Sequence, residues 1–116
     1  MISNRAEKKL FKAIEDELEN ASITYGALYH SSHEGFAILL EEIEEMESEK
    51  KAFDILKIML WNAIKKNSFD LQYKDLIKME ICAFKMLKEN LQVCAVIEKF
   101  KKTLENLEEK EIKNED

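Results

Sequence analysis

The sequence predicts an all-α fold: an antiparallel helical bundle with three to four helices per chain, completed by oligomerisation. The 116 residues include no proline and only two glycines, so few positions force a helix to stop. Apolar residues make up 46% of the chain and charged residues 36%. In most segments the apolar residues recur every three or four positions, as they do on one face of a helix. A chain of this length is expected to form a single domain over residues 1–116.

The first predicted helix lies in the segment of residues 1–20, where it begins at Ser3 or Asn4. Its apolar residues form one stripe, which consists of Leu10, Phe11, Ile14 and Leu18. This segment is charged throughout and contains no apolar region of the kind found in secretion signals. The helical pattern is lost over residues 21–32, which include Gly26, so we predict a connection there.

The second predicted helix covers residues 31–66. The Ser31 hydroxyl can accept a hydrogen bond from a free backbone amide at its start, and Glu34 stands three residues later in a capping-box arrangement. The polar run at residues 46–51 indicates either a bend or an exposed turn. After this run, apolar residues between positions 53 and 64 form a stripe broader than one neighbouring helix usually covers. Such a stripe favours oligomerisation.

The remaining sequence predicts a turn at residues 66–70, a long helix over residues 71–104 and a charged tail over residues 105–116 that frays. The net charge of −6 disfavours a nucleic-acid partner, because such proteins neutralise phosphates with basic residues. No apolar run approaches the roughly 20 residues of a membrane span. Cys82 and Cys94 lie among apolar neighbours without a metal-binding spacing, which predicts small buried residues in a reducing cytoplasm.

Carboxylates at helical spacing supply the candidate chemistry. Glu42 and Glu45 are three residues apart in the second helix, and Glu89 and Gln92 repeat this offset in the third. If the two helices pack side by side, three carboxylates and an amide oxygen meet. Mg²⁺ and Mn²⁺ prefer ligand sets made only of oxygen. The sequence therefore predicts a divalent-cation site on these two helices.

Each of these residues also has a purely structural interpretation. Acidic helix faces are often simply solvated, and Glu89 has Lys85 and Lys88 nearby as partners for a salt bridge. Trp61 and Tyr29 are candidates for stacking on a base. Trp61 lies within an apolar helical segment, however, which favours packing in a core or an interface.

Two segments resemble a known enzyme family. HEGFAILLEEIEEM, at residues 33–46, is similar to the opening motif of MazG-like, all-α nucleoside triphosphate pyrophosphohydrolases, particularly the small members encoded by phages and prophages of Gram-positive bacteria. In these proteins an HEGYAVLLEE-type helix precedes an E-x-x-Q-V-A-A-M-A helix. The second element here is ENLQVCAVIEKF, at residues 89–100. The resemblance covers roughly residues 25–100, although the middle third matches only in being helical.

The resemblance implies a magnesium site. In the wider family an EExxE motif and a later ExxD motif supply the ligands, and these positions correspond here to Glu42, Glu45 and Glu89. The fourth ligand position carries Gln92 where the family has aspartate. An amide oxygen coordinates a hard cation without contributing charge, so this site is expected to bind Mg²⁺ or Mn²⁺ more weakly.

The activity implied by the resemblance is hydrolysis of a nucleoside triphosphate between its α- and β-phosphates, which gives a monophosphate and pyrophosphate. Glu41 or a metal-free oxygen of Glu42 would orient or deprotonate the attacking water. Lys85, Lys88 and Lys99 on the third helix, and Lys65 and Lys66 at the end of the second, would assist with phosphate charge. The working form would be a homodimer or a higher homo-oligomer. The alternative is a catalytically inactive MazG-like module for helical oligomerisation or interaction, which Gln92 favours.

Overall fold

A computed structural model describes residues 2–25 and 28–115, without the side chains of residues 21–25 and 112–115. This part of the chain contains three α-helices and no strand: α1 spans Asn4–Tyr25, α2 spans Ser32–Lys65 and α3 spans Phe69–Glu115. The predicted all-α class is therefore confirmed. Over the described residues, none of the helices combines the length and the apolar character needed to cross a membrane.

All three helices differ in length from the sequence-based expectation. Helix α1 continues to Tyr25, so the connection predicted at residues 21–32 is shorter than expected. Residues 26–27 of this connection lie outside the described part of the chain. Helix α2 passes through residues 46–51 as continuous helix, and α3 continues through the charged tail to Glu115. Both segments consist largely of glutamate and lysine, which are strong helix formers, and neither contains glycine or proline.

Serine side chains cap the start of each helix. Ser3, Ser31 and Ser68 each accept a hydrogen bond from the backbone N–H three positions later, at 3.2, 3.2 and 3.3 Å respectively. These bonds satisfy amides that have no partner within the helix. The N-terminal cap predicted at Ser31 is confirmed.

A tight turn connects α2 to α3. Asn67 adopts a left-handed conformation with φ of 54°. Its N–H donates to the carbonyl of Ile64 at 3.0 Å, and the N–H of Ser68 donates to the carbonyl of Ala63 at 3.1 Å. These two bonds form a Schellman motif, which ends α2 and reverses the chain. The turn predicted at residues 66–70 is shorter in the structure and covers residues 66–68, because α3 begins at Phe69.

The chain divides into two compact units, and both α2 and α3 run through each of them. The first unit consists of Met1–Glu42 and Leu91–Asp116. In its core the ring of Tyr29 lies edge-on to Phe100, with centroids 6.4 Å apart. A Cβ atom at the buried Gly35 would stand 3.0 Å from the Phe100 ring, so the glycine allows α2 to lie close to this side chain.

The second unit, Ile43–Asn90, is a helical hairpin with a small core. Its buried residues are Ala63, Asp75 and Cys82, and the Cys82 thiol donates to the backbone carbonyl of Glu49 at 3.5 Å. Thirteen large apolar side chains of this unit are exposed: Ile55, Ile58, Met59, Trp61, Ile64, Phe69, Leu71, Tyr73, Leu76, Ile77, Ile81, Phe84 and Leu87. Trp61 is 58% exposed, so the prediction that it packs in a core is wrong. Its packing in an interface stays a prediction.

The two cysteines largely follow the expectation from sequence. Cys82 is buried and Cys94 is half-buried, and both are free thiols.

Candidate metal and ligand site

The predicted glutamates come from facing segments of α2 and α3. Glu42 and Glu45 are one helical turn apart on α2, and Glu89 lies on α3. Glu42 and Glu89 are half-buried, whereas Glu45 is exposed. One carboxylate oxygen from each of the three residues lies within 4.8 Å of the other two. The predicted convergence of these three side chains is confirmed, and we refer to Glu42, Glu45 and Glu89 as the glutamate cluster.

Glu89 shows the electrostatic consequence of this arrangement. Burial raises the pKa of Glu89, and the negative charge of Glu45, a hydrogen bond with Glu45 and the charge of Glu49 raise it further. All these effects disfavour the ionised carboxylate. A proton or a cation between the carboxylates would relieve the repulsion.

Glu49 is a contributor that the sequence reasoning missed. It follows Glu45 by four residues and Glu42 by seven, so the three glutamates share one face of α2. This spacing was visible in the sequence. The EExxE motif covers residues 41–45 and therefore does not include Glu49.

The first unit contains a cavity of about 510 Å³. Its lining comes from α1, α2, α3 and the segment before α2, and consists of Glu17, Tyr29, Ile38, Glu41, Glu42, Gln92, Ala95, Val96 and Lys99. The predicted site residues Glu41, Glu42 and Gln92 are thus brought to one cavity. Glu42 belongs to both the cavity and the glutamate cluster.

Lys99 is the basic residue among the described residues that line this cavity, and it is only 4% exposed. Its ammonium lies over the ring of Tyr29, 4.3 Å from the ring centroid, in a cation–π contact. The pKa of Tyr29 is raised by burial and, to a lesser extent, by the negative charges of Glu42 and Glu34. The Tyr29 hydroxyl therefore stays protonated at neutral pH and can donate a hydrogen bond.

Thr103 holds the backbone of Tyr29 in place. The buried Thr103 hydroxyl accepts a hydrogen bond from the Tyr29 N–H at 3.0 Å and donates to the carbonyl of Lys99 at 2.9 Å. The cavity wall is therefore tied to α3 across 74 positions of sequence.

Of the lysines on α3 that are expected to assist with phosphate charge, Lys99 lines the cavity, whereas a role of Lys85 and Lys88 stays a prediction. Lys85 and Lys88 are exposed residues of the second unit and are not part of the cavity lining. The ammonium of Lys88 lies 5.1 Å from the centroid of the Phe84 ring. The sequence indicates that Lys99 shares one face of α3 with Gln92. The residues of this face recur every three or four positions, at Gln92, Val96, Lys99 and Thr103. Glu17 has no such signal in the sequence, and Tyr29 is indicated there only as a candidate for stacking on a base.

Comparisons of the chain with family models, with curated proteins and with solved structures find no match. The fold and the site therefore define a class by their geometry alone. This is an all-helical protein with a three-glutamate cluster on two helices and a cavity lined by both acidic and basic side chains.

Proposed function

We propose that this protein is a Mg²⁺-dependent nucleoside triphosphate pyrophosphohydrolase that produces a monophosphate and pyrophosphate. The observation that carries the proposal is the approach of the Glu42, Glu45 and Glu89 oxygens to within 4.8 Å of one another. Carboxylates this close repel one another, and a hard divalent cation is an effective neutralising ligand for them. The MazG-like sequence motifs supply the substrate class.

The chemistry of the donor set fits Mg²⁺ or Mn²⁺. The cluster offers carboxylate oxygens and contains no thiolate or imidazole, which Zn²⁺ prefers. Gln92 lines the cavity together with Glu42, and its amide oxygen would serve as a neutral fourth donor. When bound, the cation would neutralise triphosphate charge and lower the pKa of a water molecule.

The side chains of the cavity would perform the remaining steps. Glu41 would accept a proton from water as the water oxygen attacks the α-phosphorus. The bond from this phosphorus to the oxygen bridging the β-phosphate then breaks, and pyrophosphate leaves with the bonding electrons. The Lys99 ammonium on the cavity wall would pair with a phosphate oxygen, and the Tyr29 hydroxyl would donate a hydrogen bond to the substrate.

Two further parts of the proposal concern the setting of the enzyme. Nucleoside triphosphates and free Mg²⁺ are abundant in the cytoplasm, so we place the protein there, and the motif resemblance suggests a phage or prophage origin. The large apolar side chains exposed on residues 43–90 support a homo-oligomer.

A second candidate function is a catalytically inactive helical module for oligomerisation or interaction. Two observations favour it. Gln92 removes one negative charge from the predicted ligand set, and the exposed apolar surface suits a binding role.

Isothermal titration with Mg²⁺ and Mn²⁺, followed by measurement of pyrophosphate release from the ribo- and deoxynucleoside triphosphates, tests the proposal. We expect metal binding and slow pyrophosphate release, both lost in Glu42→Gln and Glu89→Gln. Glu44→Gln is the matched control, because Glu44 is an exposed glutamate of α2 that belongs to neither the cluster nor the cavity lining. Gln92→Asp should tighten metal binding by adding a charged ligand.

The outcomes separate the two functions. Metal binding without hydrolysis, in both the natural chain and Gln92→Asp, would leave the interaction module as the better proposal. Absence of metal binding in both proteins would overturn the metal site together with the enzyme.

A further inference from the structure

The second unit exposes more apolar surface than a monomer usually leaves in water. Its thirteen exposed large apolar side chains are between 39% and 82% exposed. At roughly 150–250 Å² for an aromatic side chain, the four aromatic residues alone, Trp61, Phe69, Tyr73 and Phe84, present on the order of 500 Å². The largest apolar patch on a typical monomer is about 300–600 Å², and each partner in a stable dimer buries about 800 Å². The nine exposed aliphatic side chains of α2 and α3 add to this surface, so the second unit has apolar surface available for an interface.

Part of this surface forms a regular stripe on α3. Tyr73, Ile77, Ile81 and Phe84 are exposed and follow one another at spacings of four, four and three residues, so they share one side of the helix. Asp75 and Cys82, seven residues apart, mark the buried side. Stripes with this spacing are the surfaces that helices use to pack against one another.

The charges of the second unit distinguish between possible partners. Residues 43–90 contain nine acidic and nine basic residues, so the net charge of −6 belongs entirely to the first unit. The two ends of the hairpin carry opposite net charges. Residues 43–54 and 79–90, at its open end, contain seven acidic and four basic residues, whereas residues 55–78, at the turn, contain two acidic and five basic residues.

We propose that two copies of this chain pair through their second units in antiparallel orientation, with the α3 stripes in contact across a two-fold axis. Antiparallel pairing places the acidic open end of each hairpin against the basic turn end of its partner, whereas parallel pairing would bring like charges together. A neutral unit also carries no net repulsion against its own copy. An isologous contact of this kind forms a closed dimer.

The aromatic residues on this surface are compatible with such an interface. Lys88 lies over the Phe84 ring and Lys65 over the Trp61 ring, at 5.1 and 6.0 Å from the ring centroids. Lysine stems can cover an aromatic surface at the edge of an interface while their ammonium groups stay in water.

Sedimentation and distance measurements between spin labels test the proposal on the full-length chain. We expect a dimer at micromolar concentration, and Ile77→Ser combined with Phe84→Ser should make it monomeric. Both side chains are exposed in the single chain, so helical content measured by circular dichroism should persist. A monomeric natural chain at tens of micromolar would overturn the proposal.

Single spin labels establish the orientation, in a Cys82→Ala, Cys94→Ala background whose circular dichroism matches that of the natural chain. A hairpin of this length is about 34 Å long. In the antiparallel dimer, labels at Lys78 near the middle are close together, and labels at Lys66 in the turn are separated by roughly the length of the hairpin. Close approach of both label pairs would indicate parallel pairing and overturn the proposal.

Charge reversal gives an independent test. Lys65→Glu with Lys66→Glu should weaken dimerisation about tenfold or more, and adding Glu44→Lys with Glu47→Lys should restore it. The matched control is Lys8→Glu with Lys9→Glu, an exposed basic pair of the first unit, which should leave dimerisation unchanged. Failure of the second pair to rescue the first would contradict the antiparallel orientation.

Discussion

At the scale of single residues, Thr103 is the most constrained side chain of the first unit. It is 1% exposed and its hydroxyl takes part in two hydrogen bonds, to the Tyr29 N–H and the Lys99 carbonyl. A buried amide that loses its acceptor carries the full penalty of desolvation. The position of Tyr29, and with it one wall of the cavity, therefore depends on this hydroxyl.

We expect Thr103→Val to lower the free energy of unfolding by about 1–3 kcal/mol, because valine keeps the shape and removes the acceptor. Urea denaturation measures this change. Thr103→Ser keeps the hydroxyl and should retain the hydrogen bonds, losing only the packing of one methyl group. Equal stability of the valine variant and the natural chain would show that the Tyr29 amide finds another acceptor.

The raised pKa of Glu89 predicts that the free energy of unfolding depends on pH. Its folded pKa is raised above the ordinary value of 4.5, mainly by burial and then by Glu45 and Glu49. The folded state therefore binds this proton more tightly than the unfolded state does. Stability from this group rises as the pH falls through the raised pKa and stops rising below the ordinary value.

In metal-free buffer we expect Glu89→Gln to be more stable than the natural chain at neutral pH, because the amide removes a charge that burial and then the repulsion from Glu45 disfavour. The difference in unfolding free energy between the two proteins should shrink as the pH falls toward 4.5. Denaturation at a series of pH values measures it. A difference that does not change with pH would mean that the pKa of Glu89 is not raised in the folded state.

At the scale of elements, the turn between α2 and α3 depends on the left-handed conformation of Asn67. Asparagine tolerates this region better than residues with an apolar Cβ, and glycine adopts it without strain. The hairpin of the second unit needs this turn in order to bring α3 back along α2.

We expect Asn67→Ala to destabilise the protein by about 1 kcal/mol, whereas Asn67→Gly should be neutral or slightly stabilising. Thermal unfolding of the three proteins tests this order. If alanine proved as stable as glycine, the turn would have to adopt a different conformation in solution.

At the scale of the whole molecule, the glutamate cluster predicts that metal binding stabilises the fold. A cation that binds only the folded state at ten times its dissociation constant adds about 1.4 kcal/mol. For a chain of this size, that corresponds to a rise of roughly 5 °C in the melting temperature.

We therefore expect Mg²⁺ or Mn²⁺ to raise the melting temperature and EDTA to reverse the effect, measured by scanning calorimetry at one fixed protein concentration. The double variant Glu42→Gln, Glu89→Gln should show no shift. An equal shift in this variant would assign the stabilisation to other carboxylates of this acidic chain.

The sequence by itself determined the helical class, the cap at Ser31, the presence of a turn that begins at residue 66 and the residues of the glutamate cluster. Helical spacing and capping involve residues within a few positions of each other, so these features can be read locally. The polar run at residues 46–51 suits either a bend or the exposed face of a straight helix, so the sequence does not decide whether α2 is continuous there.

Only the tertiary structure decided which distant residues meet. Periodicity predicts which side of a helix is apolar, but it does not specify what packs against that side. It therefore could not place Tyr29 on Thr103, bury Lys99 in a cavity wall or leave Trp61 exposed. The burial of each of these side chains depends on segments tens of residues away in the sequence, because the free energy of burial is set by the neighbours that the fold supplies.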